Sequence, residues 1–188
     1  MKDDLRDIFN ESIRVKNATL EKNLPAMVKA VGLFSSALKK NKKIIFFGNG
    51  GSAADSQHWA AELVGRFQRE RKALPAIALT TDTSILTALG NDYNFEIVFA
   101  RQLEALGQRG DVAVAISTSG RSPNVIQGVK TAKAMGLRTI AFTGGDGGRL
   151  AGLCDLSLIA SSKNTARIQE SHLCMAHAII ELVENNFK

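Results

Sequence analysis

The sequence predicts a doubly wound α/β fold, a mainly parallel five-stranded sheet flanked by helices, and three observations predict it. Five short apolar runs recur along the chain with helix-period segments between them. Each run is almost continuously apolar, the pattern of a strand covered by helices on both faces. The first four runs end in turns rich in glycine, serine or threonine, where sheets of this kind present their ligand-facing loops.

Taken in order, Leu5, Ile8, Phe9 and Ile13, then Met27, Val28, Val31, Phe34 and Leu38, recur at helical spacing and predict two amphipathic helices over about residues 1–41. The apolar runs predict strands at 43–47, at 76–79 after Pro75, at 112–116 after Gly110 and Asp111, at 139–142 after Gly136, and at 156–159. With 188 residues and 45% apolar content the chain suits one core and is short for two, so residues 1–188 are read as a single domain. No repeat, linker or low-complexity segment divides it.

Composition narrows the function classes. No stretch approaches the roughly 18 apolar residues of a membrane span, and MKDDLRDIFNES alternates charge with apolar residues instead of forming a signal core. The expected location is cytoplasmic, with no membrane partner. Cys154 and Cys174 sit in apolar surroundings without metal-type spacing and are read as buried thiols. A net charge of +6 raises nucleic acid as a partner. The densest cluster, GRFQRERKALP, instead suits cations at a helix C-terminus, and one Trp, one Tyr and no helix-turn-helix signature argue against nucleic acid. Small anionic ligands fit the charge equally well.

The strand-end loops are GNGGS, TTDTS, STSGRSPN and TGGDGG. Glycine allows close backbone approach and hydroxyls supply donors, a vocabulary for phosphates and polyols. A nucleoside triphosphatase needs G-x-x-x-x-G-K-[ST], which is absent. Gly48, Gly50 and Ala53 satisfy the dinucleotide pattern G-x-G-x-x-A, with Asp82 as the candidate ribose acid, but Asp82 lies past the usual interval of about 20 residues. STSGRS has no task in a dinucleotide site; its plainer reading is a polar turn with a hydroxyl helix cap.

The segment after GNGGS places His58 and Glu62 four residues apart, on one helix face, at the spacing of a metal pair or an acid/base pair. An exposed surface pair is the alternative. In RIQESHLCMAHAIIELVENN, Gln169, Glu170, His172 and His177 interrupt an apolar helix, so all three histidines fall on two helices with carboxylates nearby. Two helices of this kind favour a site over isolated core histidines.

GNGGSAADSQHWAAELVGRF, LTTDTSILTALGNDY, ISTSGRSPNVI, FTGGDGG and ARIQESHLCMAH, in this order, closely resemble the phosphoheptose isomerase family of the sugar isomerase (SIS) superfamily, over essentially the whole chain. The resemblance implies a SIS-type three-layer sandwich and the conversion of D-sedoheptulose 7-phosphate to D-glycero-D-manno-heptose 7-phosphate through an enediol, the entry to the heptose of bacterial surface polysaccharide. It implies that Asn49, Gly50, Gly51, Asn91, Asp92 and Gln169 line the substrate, and that Ser117, Thr118, Ser119 and Ser122 hold its phosphate. It implies a divalent metal, usually zinc, on His58, Glu62, Gln169 and His177, with Glu62, also in contact with substrate, and His177 as the catalytic acid/base pair. Arg121 departs from the Asn or Lys common after STSG. Some relatives are non-enzymatic interaction proteins, including one that associates with the bacterial replication initiator; retention of both Glu62 and His177 favours the enzyme.

Gln169 and His177 are eight residues apart, about 12 Å along a helix and about 80° around it. One metal on one helix is a stretch for both: either the long Gln and His side chains lean toward each other, or one belongs to a site completed by a neighbouring subunit. Ile168, Leu173, Met175, Ile179, Ile180, Leu182 and Val183 cover more than the usual apolar stripe. A symmetric homo-oligomer is therefore expected, the tetramer that the resemblance implies.

Overall fold

The structure, a computed structural model, describes residues 1–187. In chain order the elements are α1 (Lys2–Lys39), β1 (Ile44–Gly48), α2 (Gly51–Val64), β2 (Ala76–Ala78), α3 (Thr83–Asp92), a 3-10 turn (Phe95–Ile97), α4 (Val98–Leu106), β3 (Val112–Ile116), α5 (Pro123–Ala134), β4 (Arg138–Gly144), α6 (Gly148–Leu153), β5 (Leu156–Ala160) and α7 (Thr165–Glu184). The five strands pair in parallel in the order β2-β1-β3-β4-β5.

Alternation along each strand builds two cores. Ile44 and Phe46 of β1 point to one face, with Val112, Val114, Ile140 and Leu158, under α1, α2 and α7. Ile45 and Phe47 point to the other, with Ala113, Ala115 and Ala141, under α4 and α5. All five residues of β1 and of β3 are buried, which is why these strands read as unbroken apolar runs.

The N-terminal segment corrects one expectation. The two helices predicted over residues 1–41 are a single helix, α1, 38 residues long, which continues through Pro25. The apolar stripe is broken in sequence by Ser12, Thr19 and Asn23, but these three side chains are buried and bonded. Ser12 donates to Glu170 at 2.6 Å, Thr19 Oγ1 accepts the Ser161 N–H at 3.0 Å, and Asn23 exchanges bonds with the Ile159 backbone at 2.8 and 3.0 Å. Polar satisfaction replaces apolar contact on that face, so the helix runs on where hydrophobic periodicity stops.

The order β2-β1-β3 puts the topological switch between β1 and β3, the place where ligands bind in sheets of this kind. Gly48 is in register with Ile116, so the turns GNGG and STSG leave the sheet side by side.

Candidate active site

The first turn holds the N-terminus of α2. Gly50 adopts φ 55°, which glycine takes without strain, and Asn49 O accepts the Ser52 N–H at 3.0 Å. Asn49 is locked to Asn124, at the start of α5, by reciprocal amide bonds of 2.8 and 2.9 Å that tie the first loop to the third across the switch point. In the third loop the Ser117 and Ser122 hydroxyls are 3.0 Å apart, and Thr118 O accepts the Gly144 N–H. Ser122 is the N-cap residue of α5 yet makes no side-chain cap bond, so the plainer reading of STSGRS as a hydroxyl cap does not describe it. Ser119 Oγ accepts the Arg121 N–H at 3.2 Å. The Arg121 guanidinium donates to Asp146 at 2.6 Å and to Ser119 O at 3.1 Å, and its hydrogen bond holds the Asp146 carboxyl below the usual range.

Helix α2 is pinned by Trp59, fully buried between Phe46 and Phe142 at ring separations of 6.0 and 4.9 Å. That anchoring presents the flank carrying His58 and Glu62 to α7. His58 Nε2 lies 3.0 Å from Glu62 Oε1, and one ligand atom each from His58, Glu62 and His177 falls within 4.8 Å of the others. The His177 ring stands between the rings of His58 and Phe67, each 5.1 Å away. Burial, then the neighbouring His58, pushes the His177 pKa down, with Glu62 opposing. Its Nε2 is buried without a hydrogen-bond partner. Two imidazoles, one with an orphaned ring nitrogen, and a carboxylate are the donor set of a divalent transition metal, so the residues fit one.

The remaining predicted residues divide. Gln169 meets α2 at its first turn: its side-chain amide lies over Gly51, where any Cβ would collide with it, two turns and about 10 Å along α2 from His58. It therefore lines the GNGG turn, as a substrate-contacting residue would. Asn91 and Asp92 sit at the exposed C-terminal end of α3, Asn91 donating to Asp92 at 2.9 Å, with no hydrogen bond to the other predicted site residues. Asp82 caps α3 by accepting the Ile85 N–H at 2.9 Å, a structural task that leaves the dinucleotide reading without its acid. His172 is wholly buried and donates from Nε2 to Thr143 O at 2.8 Å, a core histidine and not part of the cluster. Cys174 corrects the buried-thiol reading: it is exposed, in a groove shared with Lys16 and Leu20 of α1, while Cys154 is partly buried.

Sequence reasoning missed Asn124, Phe67 and Asp55. Asp55 lies one turn before His58 with Oδ2 buried and unpaired, and burial pushes its carboxyl up to about 6 against the pull of His58. Its spacing from His58, i to i+3, was the available signal.

The fold and the paired loops define a SIS-domain protein, and the SIS domain family profile matches residues 8–144. A phosphoheptose isomerase of Aquifex aeolicus is 55% identical over 184 residues, covering 98% of this chain and 96% of that protein. The solved phosphoheptose isomerase of Neisseria gonorrhoeae superposes with a TM-score of 0.93 at 45% identity, covering 98% of both chains, and that of Francisella tularensis with 0.94 at 37%, covering 97% of both. The chain belongs to the phosphoheptose isomerase family.

Proposed function

We propose that this isomerase interconverts D-sedoheptulose 7-phosphate and D-glycero-D-manno-heptose 7-phosphate through an enediol, with the site residues named above in their expected roles. The observation that carries the reading is the His58–Glu62–His177 cluster beside two hydroxyl- and amide-lined turns at the switch point. The non-enzymatic interaction reading is not favoured, because it leaves a convergent acid/base set without a task.

Ketose–aldose exchange moves a proton between adjacent carbons and adjusts protons on their two oxygens. Glu62 takes the proton from the substrate carbon and returns it to the neighbouring one. Burial, then the neighbouring His58, favours the neutral form of His177; with one ring nitrogen committed to a bound metal, the other would carry the N–H that it gives to a substrate oxygen and takes back. Each such group contributes about 10² to 10⁴ in rate. The Ser117–Ser122 loop holds the phosphate and fixes the reacting carbons, so binding energy far from the reaction orients it. His58, Glu62 and His177 would hold a divalent metal, zinc by donor type, with Gln169 as the expected fourth ligand, supplied by this chain or by another copy of it. When bound, the metal would polarise the substrate carbonyl.

The same reading includes a homotetramer with sites shared between subunits, a cytoplasmic location, and a place at the first step of heptose supply for surface polysaccharide such as lipopolysaccharide core. An apolar stripe on α1 supports assembly: Leu5, Phe9, Ile13 and Val28 are 56%, 70%, 54% and 63% exposed. Helix α3 buries none of its residues within the chain, as a helix waiting for a partner surface does. No helix among the described residues is long and apolar enough to cross a membrane.

Turnover of sedoheptulose 7-phosphate by purified, metal-defined protein, measured against fructose 6-phosphate, tests the proposal. Preference for the seven-carbon substrate is expected; equal or better use of fructose 6-phosphate would contradict it.

A further inference from the structure

At the end of the sheet opposite the switch point, the amino ends of the strands open onto a cleft of about 610 Å³. Its cations come from three separate connections: Lys40 and Lys42 between α1 and β1, Arg109 between α4 and β3, and Lys133 and Arg138 on either side of the turn between α5 and β4. One carboxylate, Asp155, shares the wall. It already accepts the Thr139 N–H and hydroxyl at 2.9 and 3.1 Å and stands 3.6 Å from Lys133 Nζ. Lys133 and Asp155 therefore cancel. Among the described residues Lys40, Lys42, Arg109 and Arg138 have no acidic partner, so the cleft carries a surplus of four positive charges.

Two of these cations are seated on backbone. The Lys42 stem lies across Gly110, with Cε 3.4 Å from where a Cβ would stand, and the Arg109 stem lies across Gly136, with Cγ at 3.2 Å. Both glycines have positive φ, 93° and 78°, and the Gly110 N–H donates to Gly136 O at 3.3 Å, joining the two turns. A side chain at either glycine would be strained and would crowd the stem above it. Helix dipoles account for Lys40 and Lys133, which end α1 and α5. They do not account for Lys42, Arg109 and Arg138, which belong to turns and a strand start.

We propose that this cleft is a second anion site, separate from the isomerase site, that binds a compound with two or more linked phosphates. A single phosphate brings about −1.5 to −2 charges at pH 7 and leaves half the surplus unmatched. A diphosphate matches it more closely. The cleft volume falls in the usual range for small-molecule sites, and Leu33, Val112 and Leu137 give it an apolar floor that would take the rest of a nucleoside diphosphate.

Calorimetric titration at physiological salt, about 0.15 M, tests this with pyrophosphate, ADP and orthophosphate as separate probes. The proteins are wild type, the double variant Lys42→Met/Arg109→Met, which keeps apolar stems, and Ser119→Ala, which weakens the phosphate loop of the isomerase site. Pyrophosphate and ADP should bind wild type and Ser119→Ala alike and should bind the double variant about tenfold or more weaker. Orthophosphate should bind wild type far more weakly than either. ADP binding tighter than pyrophosphate would show that the apolar floor is used; equal affinity would show that linked phosphates suffice. The double variant should keep wild-type sugar-phosphate turnover, which establishes that it is folded. An unchanged affinity in the double variant, loss of binding in Ser119→Ala, or no binding of either diphosphate at millimolar concentration would overturn the proposal.

Discussion

The guanidinium of Arg71 and the carboxylate of Glu184 pair at 3.2 Å with both side chains fully buried, and together they fold the segment after α2 onto the end of α7. Burial opposes ionisation of Glu184, but the N–H groups of Phe67, Gln68 and Arg69, with Arg71, hold its carboxyl below the usual range. Arg71 also donates to the carbonyls of Glu62, Leu63 and Gly65. The pair thus sets Phe67 against the His177 ring.

Glu184→Ala leaves a buried guanidinium without its counter-charge and three backbone donors unmatched, and should cost about 3 to 5 kcal/mol. Denaturant unfolding measures it. Activity should fall even at temperatures where the variant stays folded, because Phe67 no longer confines His177. A loss under about 1 kcal/mol would mean that the pair does not hold this segment.

The central strands were legible because their residues are buried on both faces; residues 112–116 are predicted and observed with the same bounds. Strand β4 runs longer than predicted, to Gly144, since Thr143 and Gly144 are buried despite their polarity or lack of side chain. Arg71 was legible only as one of a run of cations. Nothing in GRFQRERK says that Arg71 turns inward to a glutamate 113 positions later, while Arg66 stays out near Glu70 at 3.6 Å. The same limit hid the basic cleft, whose cations are scattered from Lys40 to Arg138 and meet only in the fold. The paired histidine helices were legible because their spacing is local.

The phosphate loop separates two roles. Ser119→Ala and Ser122→Ala each remove a donor to a charged group, and should weaken sugar-phosphate binding by roughly 1.5 to 3 kcal/mol, about tenfold or more. Ser122→Ala also strands the buried Ser117 hydroxyl and should lower stability, whereas Ser119→Ala should not. Calorimetry and unfolding together check this. Unchanged affinity in both variants would reduce the loop to a structural turn.

His172 makes stability depend on pH. Burial pushes its pKa down to about 4, against the backbone bond to Thr143, and its Nδ1 is buried with no acceptor for a second proton. A histidine with a lowered folded pKa contributes stability fully present above its unfolded value near 6.5 and lost as pH falls toward 4. Wild type should lose up to about 3 kcal/mol over that window beyond what His172→Gln loses. Parallel urea curves at several pH values would refute this.

The bare α1 stripe supports the proposed assembly. Wild type should sediment as a tetramer, and Phe9→Asp/Ile13→Asp should yield smaller species with the α1–α7 packing intact. A 20.2 kDa monomer of wild type at micromolar concentration would contradict the shared-site reading.

Glu62 lies 3.0 Å from His58 and within ligand reach of His177, and the proposed mechanism gives it the transfer of the substrate proton. Single-turnover conversion of sedoheptulose 7-phosphate by Glu62→Gln, beside wild type at matched metal content, tests it most directly. The amide is nearly isosteric, so substrate affinity should stay within a few-fold while the chemical step slows by about 10² or more. Conversion by Glu62→Gln at the wild-type rate would remove Glu62 from the proton transfer and contradict the mechanism.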